Sequence, residues 1–183
     1  GMKADAYPED ALVLWAARSC GRPVKWVATR SESLLGDTHG RDQVVYGELA
    51  LDTTGKILGL RARGLHAFGG YVVSAAAAPL AFSMRFVPGV YDIQAYFGAS
   101  CGVFTNTSPT GPYRGAGRPE ATFLIERLLD QAAVELGLDP VEIRRRNLIR
   151  PEQFPYSTPT GFVYDSGEFE RLLDECLKLS EWD

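Results

Sequence analysis

Apolar residues recur every three or four positions between residues 119 and 136, and this pattern predicts the longest helix of the chain. Pro119 suits the first helical position, because proline has no backbone N–H and its φ is already close to the helical value. Gly137 follows the last apolar position and predicts where the helix ends. The apolar stripe consists of Ala121, Leu124, Ile125, Leu128, Leu129, Ala132, Ala133 and Leu136.

Four other segments carry helical signals. They are residues 8–19, residues 29–35 as a turn or short helix, a short helix that begins at Asp139, and residues 166–179. Glu9 and Asp10 are expected to cap the first of these helices, since acidic residues stabilise a first helical turn. The run 144–146 of three arginines is expected at a helix end, where positive charge is favourable. In the last helix we expect these side chains to point inward: Phe169, Leu172, Leu173 and Cys176.

Strands are predicted at residues 23–29, 44–52, 57–68 and 90–104. The turn at residues 52–56 joins the second and third of these strands into an antiparallel hairpin. Gly98 and Gly102 indicate bulges in the last strand. Residues 74–88 are rich in alanine and proline and are expected to be irregular. Because strands and helices do not alternate strictly, we predict an α+β fold with a mixed or antiparallel sheet and packed helices, in one domain segment spanning residues 1–183.

Composition excludes several classes of function. The net charge of −4 is spread along the chain without a basic stripe, which argues against nucleic-acid binding. Three distant cysteines favour a reducing compartment, so a cytoplasmic location is expected. Two histidines without a third ligand at metal-binding spacing predict no protein-ligated metal. The sequence contains no apolar run of about 18 residues, so no membrane span is expected, and residues 1–5 do not resemble a signal peptide.

Two short motifs have both a functional and a structural interpretation. Residues 98–102 fit the Gly-x-Ser-x-Gly pattern of serine hydrolases, but no helix start and no later histidine follow them. We therefore reject a hydrolase site. Residues 39–42 (His-Gly-Arg-Asp) are expected to order a loop before a strand, with a polar site as the alternative.

Residues 113–120 (Tyr-Arg-Gly-Ala-Gly-Arg-Pro-Glu) carry the most informative pattern. Their glycines allow the backbone to approach a ligand closely, and the helix that follows offers free N–H groups to an anionic or oxygen-rich partner. Arg114 and Arg118 add hydrogen-bond donors that remain charged. The alternative is an ordinary helix start with a flexible approach and two surface arginines.

At residues 113–120 the chain resembles the molybdopterin-binding large subunit of the molybdenum hydroxylases. This family contains xanthine dehydrogenase, aldehyde oxidase and carbon monoxide dehydrogenase. Further stretches agree with the family in the same order: Gly1-Met2-Lys3 with Tyr7-Pro8-Glu9, residues 21–26 with Arg30 and Glu32, residues 39–42, residues 137–140, and residues 145–147. The resemblance covers essentially all 183 residues.

The resemblance implies an oxidoreductase that hydroxylates a C–H bond of an aldehyde or heteroaromatic ring with water as the oxygen source. It implies that Arg114 hydrogen-bonds the molybdopterin cofactor and that Gly115, Ala116 and Gly117 lie beside the metal. The cofactor is expected in its cytosine dinucleotide form. Implied partners are the rest of the large subunit, an FAD-binding medium subunit, an iron–sulfur small subunit and a small organic substrate.

Departures from the family pattern narrow the expected chemistry. Carbon monoxide dehydrogenase proper has a copper-binding cysteine directly after the arginine, where this chain has Gly115. Xanthine dehydrogenases have a phenylalanine where this chain has Ala116, and their purine-orienting arginine falls near Phe82, with Arg85 three residues away. We therefore expect the copper-free group of carbon monoxide dehydrogenase-like enzymes, with Ala116 and Phe82 in the substrate pocket.

The family's Gly-Gln cofactor motif and its catalytic glutamate have no counterpart in the sequence. The expectation is a segment of the first cofactor-binding domain of a larger subunit, which contains no catalytic residue and is inactive alone. Two alternatives stay open at this point. One is a free-standing module that binds a ligand or partner, and the other is a purely structural domain.

Overall fold

The computed structural model describes residues 6–73 and 75–182. The helices are α1 (Pro8–Cys20), α2 (Arg30–Gly36), α3 (Ala77–Phe86), α4 (Arg118–Leu136), α5 (Pro140–Asn147) and α6 (Phe169–Leu179). The strands are β1 (Gln43–Leu51), β2 (Ile57–Gly69), β3 (Tyr96–Phe104), β4 (Tyr156–Ser157) and β5 (Val163–Tyr164). The predicted α+β class is confirmed. The predictions that concern residues 1–5 and Ser74 lie outside the described residues.

Strands β1, β2 and β3 form one sheet in that order. The first two strands pair antiparallel, as the predicted hairpin requires, and Asp52 closes their turn by accepting hydrogen bonds from the N–H groups of Thr54 and Lys56 at 2.8 and 3.0 Å. Strands β2 and β3 pair parallel, with α3 in the connection between them. A parallel pair needs such a crossover, because a tight turn cannot bring the chain back in the same direction.

Helix α4 provides much of the hydrophobic core. Ile125 and Leu129 on its inner face are almost completely buried. The helix approaches β1 at Gly47, where an added Cβ atom would lie 2.8 Å from the methyl groups of Leu124 and Leu128. The rest of the core cluster comprises Ile57, Leu60, Ala62, Met84, Val87, Tyr91, Ile93, Ala121, Ala132, Ala133, Ile143 and Leu148. The predicted stripe is therefore the packing face except at its last residue, Leu136, which is 39% exposed. The start of α4 has a fixed position relative to the sheet.

Helix α5 is fixed to α4 by charge-assisted hydrogen bonds. Arg144 donates to the carboxylates of Glu126 and Asp130 at 2.7 and 2.8 Å. Asp139 caps α5 by accepting from two backbone N–H groups of its first turn. The predicted helix end at residues 144–146 is confirmed. Of the two acidic residues expected to cap α1, Asp10 accepts from the N–H of Tyr7 at 3.0 Å, whereas Oε2 of Glu9 is buried and has no hydrogen-bond partner among the described residues.

Two predicted segments are wrong in type. Residues 23–29 form no strand, and Val27 within them is 70% exposed. The segment predicted as irregular contains helix α3. Alanine favours helices, and Pro79 is tolerated because it lies in the first turn, where backbone N–H groups have no helical acceptor.

Further differences concern the last strand and the last helix. Strand β3 starts at Tyr96, since Tyr91 pairs with Leu148 instead. Gly98 and Gly102 lie in regular register, and the bulge falls between Ala67 and Gly69 on β2. The two glycines make room for rings, because added Cβ atoms would lie 2.3 Å from the Tyr96 hydroxyl and 2.1 Å from the Phe68 ring.

Helix α6 buries only part of its predicted inward set. Phe169 and Leu173 pack against the core, whereas Leu172 is 56% exposed and Cys176 is also exposed. The inward prediction was therefore wrong for these last two residues. The apolar face of α6 is wider than the surface that the core offers to it.

Asn147 joins the hairpin turn to α5. It is completely buried, accepts a hydrogen bond from Ile57 N–H at 2.9 Å, and donates to the carbonyl oxygens of Gly55 and Ile143 at 2.8 Å. Removing a buried partner leaves these backbone groups without hydrogen bonds, which is more costly than losing the bonds themselves.

We predict that Asn147→Ala lowers the free energy of unfolding by about 3 kcal/mol. The matched control is Asn106→Ala in an exposed loop, which is expected to change the free energy by less than about 0.5 kcal/mol. Chemical denaturation of the two variants measures the difference. Equal effects would show that Asn147 does not hold the turn.

Candidate functional site

The loop before α4 has three successive residues in the left-handed region. The φ angles are 96° at Gly115, 46° at Ala116 and 95° at Gly117. Ala116 N–H donates to the Tyr113 carbonyl oxygen at 2.8 Å, and Arg118 N–H donates to that of Gly115 at 3.1 Å. Glycine adopts this conformation without steric cost, so the two glycines are the residues that permit this turn.

Both glycines also lie where no side chain fits. An added Cβ atom on Gly117 would lie 2.4 Å from the Pro79 carbonyl oxygen and 2.7 Å from the Ser83 nitrogen, both on α3. One on Gly115 would lie 2.6 Å from Cδ of Pro119. The loop therefore rests directly on α3, and its backbone, not its side chains, forms the surface at this point.

The loop leaves hydrogen-bond donors unused. Among the described residues, the N–H groups of Gly115 and Gly117 have no acceptor, and the exposed Arg114 side chain makes no hydrogen bond or ion pair. Backbone N–H groups in turns can bind anions, although the two free groups here lie on either side of the Ala116 N–H, which is already bonded to Tyr113. The start of α4 adds the positive end of the helix dipole. This donor set fits the oxygen atoms of an anionic, phosphate-bearing group such as molybdopterin.

Arg118 has a different role from Arg114. Its guanidinium lies 4.7 Å from the ring centre of Phe82 and 4.5 Å from that of Phe86, and it donates to the Gly115 carbonyl oxygen at 3.3 Å. Arg118 thus uses one of its donors within the loop, whereas no hydrogen bond within the described residues engages the Arg114 side chain, and ligand binding by either arginine stays a prediction. Arg118 also connects the loop to α3 through cation–π contacts.

The structure brings Phe82 near the loop, as a shared pocket with Ala116 would require. Phe82 lies on α3 three residues after Pro79, whose carbonyl oxygen contacts Gly117 of the loop. Arg85 contacts a different ring, since its guanidinium lies 4.4 Å from the ring centre of Phe162. The role of Ala116 and Phe82 in a substrate pocket stays a prediction.

The segment at residues 39–42 is part of the same site. His39 pairs with the approach to the loop: its N–H donates to Pro109, and its carbonyl oxygen accepts from Gly111 at 2.8 Å. Arg41 Nη2 donates to the carbonyl oxygen of Arg114 at 2.7 Å. Sequence reasoning placed this segment in a loop but gave no sign of this contact, because the two arginines are 73 positions apart.

A buried polar group lies close to the start of α4. His66 Nε2 is 3.3 Å from the Ser83 hydroxyl. Burial lowers the pKa of His66 below its ordinary value, and the negative charge of Glu120 opposes this shift.

Residues 6–73 and 75–182 contain no group of three or more His, Cys, Asp or Glu side chains placed to bind a metal ion. Over the same ranges, no helix has the length and apolar character that crossing a membrane requires.

The profile of the molybdopterin cofactor-binding domain matches residues 1–148. The chain therefore belongs to the molybdopterin cofactor-binding domain family, and the sequence-based resemblance is confirmed.

Individual relatives agree with this assignment. Subunit gamma of the 6-hydroxypseudooxynicotine dehydrogenase complex from Paenarthrobacter nicotinovorans is 38% identical over 100% of this chain and 24% of its own length. The carbon monoxide dehydrogenase large chain of Hydrogenophaga pseudoflava is 41% identical over 97% of this chain and 22% of its own. The crystal structure of quinoline 2-oxidoreductase from Pseudomonas putida 86 matches with a TM-score of 0.93 and 35% identity, over 99% of this chain and 23% of that one. The chain spans about a quarter of the length of the curated relatives it matches.

We predict that Gly117→Ala is more destabilising than Gly137→Ala. Both glycines have positive φ, but an added Cβ atom meets nothing within 4 Å at Gly137. The Gly137 variant therefore measures the backbone cost alone, about 1 kcal/mol, and the steric clash with α3 adds about 2 kcal/mol at Gly117. Denaturation midpoints of the two variants test this, and equal losses would contradict the close contact with α3.

Proposed function

We propose that this chain is part of the large subunit of a molybdenum hydroxylase and that residues 114–117 bind its molybdopterin cofactor. The observation that carries the proposal is the set of unused donors on Arg114, Gly115 and Gly117 at the start of α4. Membership of the cofactor-binding domain family supports it independently of this geometry.

Within this proposal the chain binds and orients, and the cofactor supplies the redox chemistry of C–H hydroxylation when it is bound. Arg114 provides a charged, planar donor for oxygen atoms. The Gly115 and Gly117 N–H groups add donors whose direction is set by the backbone. Contacts with α3 and with Arg41 hold the turn in place, so little ordering cost is expected on binding.

The substrate that we propose is an aldehyde or a heteroaromatic ring. Gly115 offers no thiolate for copper, which supports a copper-free enzyme despite the similarity to carbon monoxide dehydrogenase. The relatives named for 6-hydroxypseudooxynicotine and quinoline support a ring-containing substrate. Ala116 and Phe82 are proposed to line the substrate pocket, with the small Ala116 side chain leaving room for the substrate.

The remaining parts of the proposal concern assembly. Several large side chains are more than half exposed on α1, including Leu12, Leu14 and Trp15. Apolar surface of this kind commonly marks protein–protein contacts, and we assign it to contacts with the rest of the large subunit. The names of two relatives, a complex subunit and a large chain, support assembly with further subunits. We further propose that those subunits carry FAD and iron–sulfur clusters. The cofactor is proposed to be the cytosine dinucleotide form, and the protein is proposed to be cytoplasmic.

We expect metal analysis of the full-length protein, purified with its partner subunits, to find about one molybdenum per large subunit and no stoichiometric copper. Arg114→Met should lower the molybdenum and pterin content about tenfold, because it removes a charged donor. Arg127→Met, an exposed arginine on α4 paired with Asp130, is the matched control and should retain both. Absence of molybdenum from the unsubstituted protein, made in a host that synthesises the cofactor, would contradict the proposed function.

A further inference from the structure

Arg41 makes three contacts at the start of the candidate cofactor loop. Its Nη2 donates to the carbonyl oxygen of Arg114 at 2.7 Å. Its guanidinium carbon lies 4.6 Å from the centre of the Tyr113 ring. Its Nε lies 3.7 Å from Oε1 of Glu120, which is within the range of an ion pair. One side chain thus contacts the residues before the glycines and the helix after them.

The backbone of Arg41 is itself in an unusual conformation. Its φ is 62°, in the left-handed region that non-glycine residues rarely adopt. Such a conformation is retained where surrounding contacts determine it. Here the pairing of His39 with Thr110 and the contact with Arg114 supply those contacts.

Glu120 is more deeply buried than a carboxylate of this kind usually is. Its side chain is 8% exposed, and Oε2 has no hydrogen-bond partner among the described residues. A buried carboxylate is strongly disfavoured without a nearby positive charge. Arg41 supplies that charge, so the two side chains constrain each other.

The contact with Arg114 also determines the direction of the next N–H group. In a planar trans peptide, the carbonyl oxygen of one residue and the N–H of the next point in opposite directions. Fixing the Arg114 carbonyl oxygen toward Arg41 therefore turns the Gly115 N–H away from Arg41. Gly115 N–H is one of the donors that has no acceptor among the described residues.

We propose that Arg41 is a positioning residue for the cofactor loop: it fixes the Arg114–Gly115 peptide so that Gly115 N–H faces the ligand, and Glu120 holds Arg41 in place. This inference rests on the proposed function for its ligand, while the anchoring of the loop rests on the contacts alone. Lysine cannot replace Arg41 fully, because an ammonium group lacks the planar set of donors that reaches two acceptors while stacking on a ring.

The test uses the full-length protein with its partner subunits, prepared both with cofactor and from a host unable to make it. Arg41→Asn removes the guanidinium but retains a residue that tolerates positive φ. Arg41→Lys is the conservative variant, and Glu120→Gln removes only the charge. The matched control is Arg61→Asn. It removes an exposed arginine on β2 whose Nη1 lies 3.0 Å from Oε2 of Glu48 on β1.

Hydrogen exchange in the cofactor-free protein reports on the loop directly. The amides of Ala116 and Arg118 are hydrogen-bonded within the loop. We expect Arg41→Asn to raise their exchange rates about tenfold, the factor that corresponds to losing one charge-assisted hydrogen bond. Arg41→Lys should restore part of the protection, Glu120→Gln should give an intermediate increase, and Arg61→Asn should have no effect.

Molybdenum content in the cofactor-loaded preparations separates this inference from the proposed function. Faster exchange together with lower molybdenum content in Arg41→Asn supports both the role of Arg41 in positioning the loop and the binding of the cofactor by this loop. Faster exchange with unchanged molybdenum content supports the anchor and contradicts cofactor binding by this loop. Unchanged exchange in Arg41→Asn overturns the inference, whatever the molybdenum content.

Discussion

The contact between Gly117 and α3 is the constraint on which the candidate site depends. The Gly117 backbone lies so close to Pro79 and Ser83 that no side chain fits between them. Helix α4 starts immediately after this contact and is anchored further along by the buried side chains of Ile125 and Leu129. The loop therefore has little freedom, because one end rests on α3 and the other continues into a helix that is part of the core.

The opposite side of the loop is held by a segment that is distant in sequence. His39 pairs with Thr110 in the approach to the loop, and Arg41, two residues later, lies against the Arg114 carbonyl oxygen. The loop is thus supported by the strand-like approach, by α3 and by its own helix. Such support fixes the direction of backbone donors before a ligand binds, which reduces the ordering cost of binding. A donor set of this kind does not need large or charged side chains at Gly115 and Ala116.

The sequence predicts the elements whose signals are local and misses those that depend on distant partners. Helix α4 is predicted almost to the residue, because its apolar repeat, Pro119 and Gly137 all agree. Helix α3 is missed, because an alanine- and proline-rich segment gives no apolar repeat, and its packing on α4, β2 and β3 involves residues that are distant in sequence. The parallel pairing of β2 with β3 and the Arg41–Arg114 contact join residues tens of positions apart, so no local pattern can reveal them.

The local geometry also bears on why this chain differs from copper-dependent relatives. The family resemblance implies that copper-dependent carbon monoxide dehydrogenase has a cysteine directly after the arginine that corresponds to Arg114. In this chain a Cβ atom at Gly115 would lie 2.6 Å from the ring of Pro119, and the φ of 96° at that position disfavours any side chain. A cysteine there would require Pro119 and the first turn of α4 to move. Glycine at position 115 and proline at position 119 are therefore coupled, and changing Gly115 alone would not produce a thiolate in a loop of this shape.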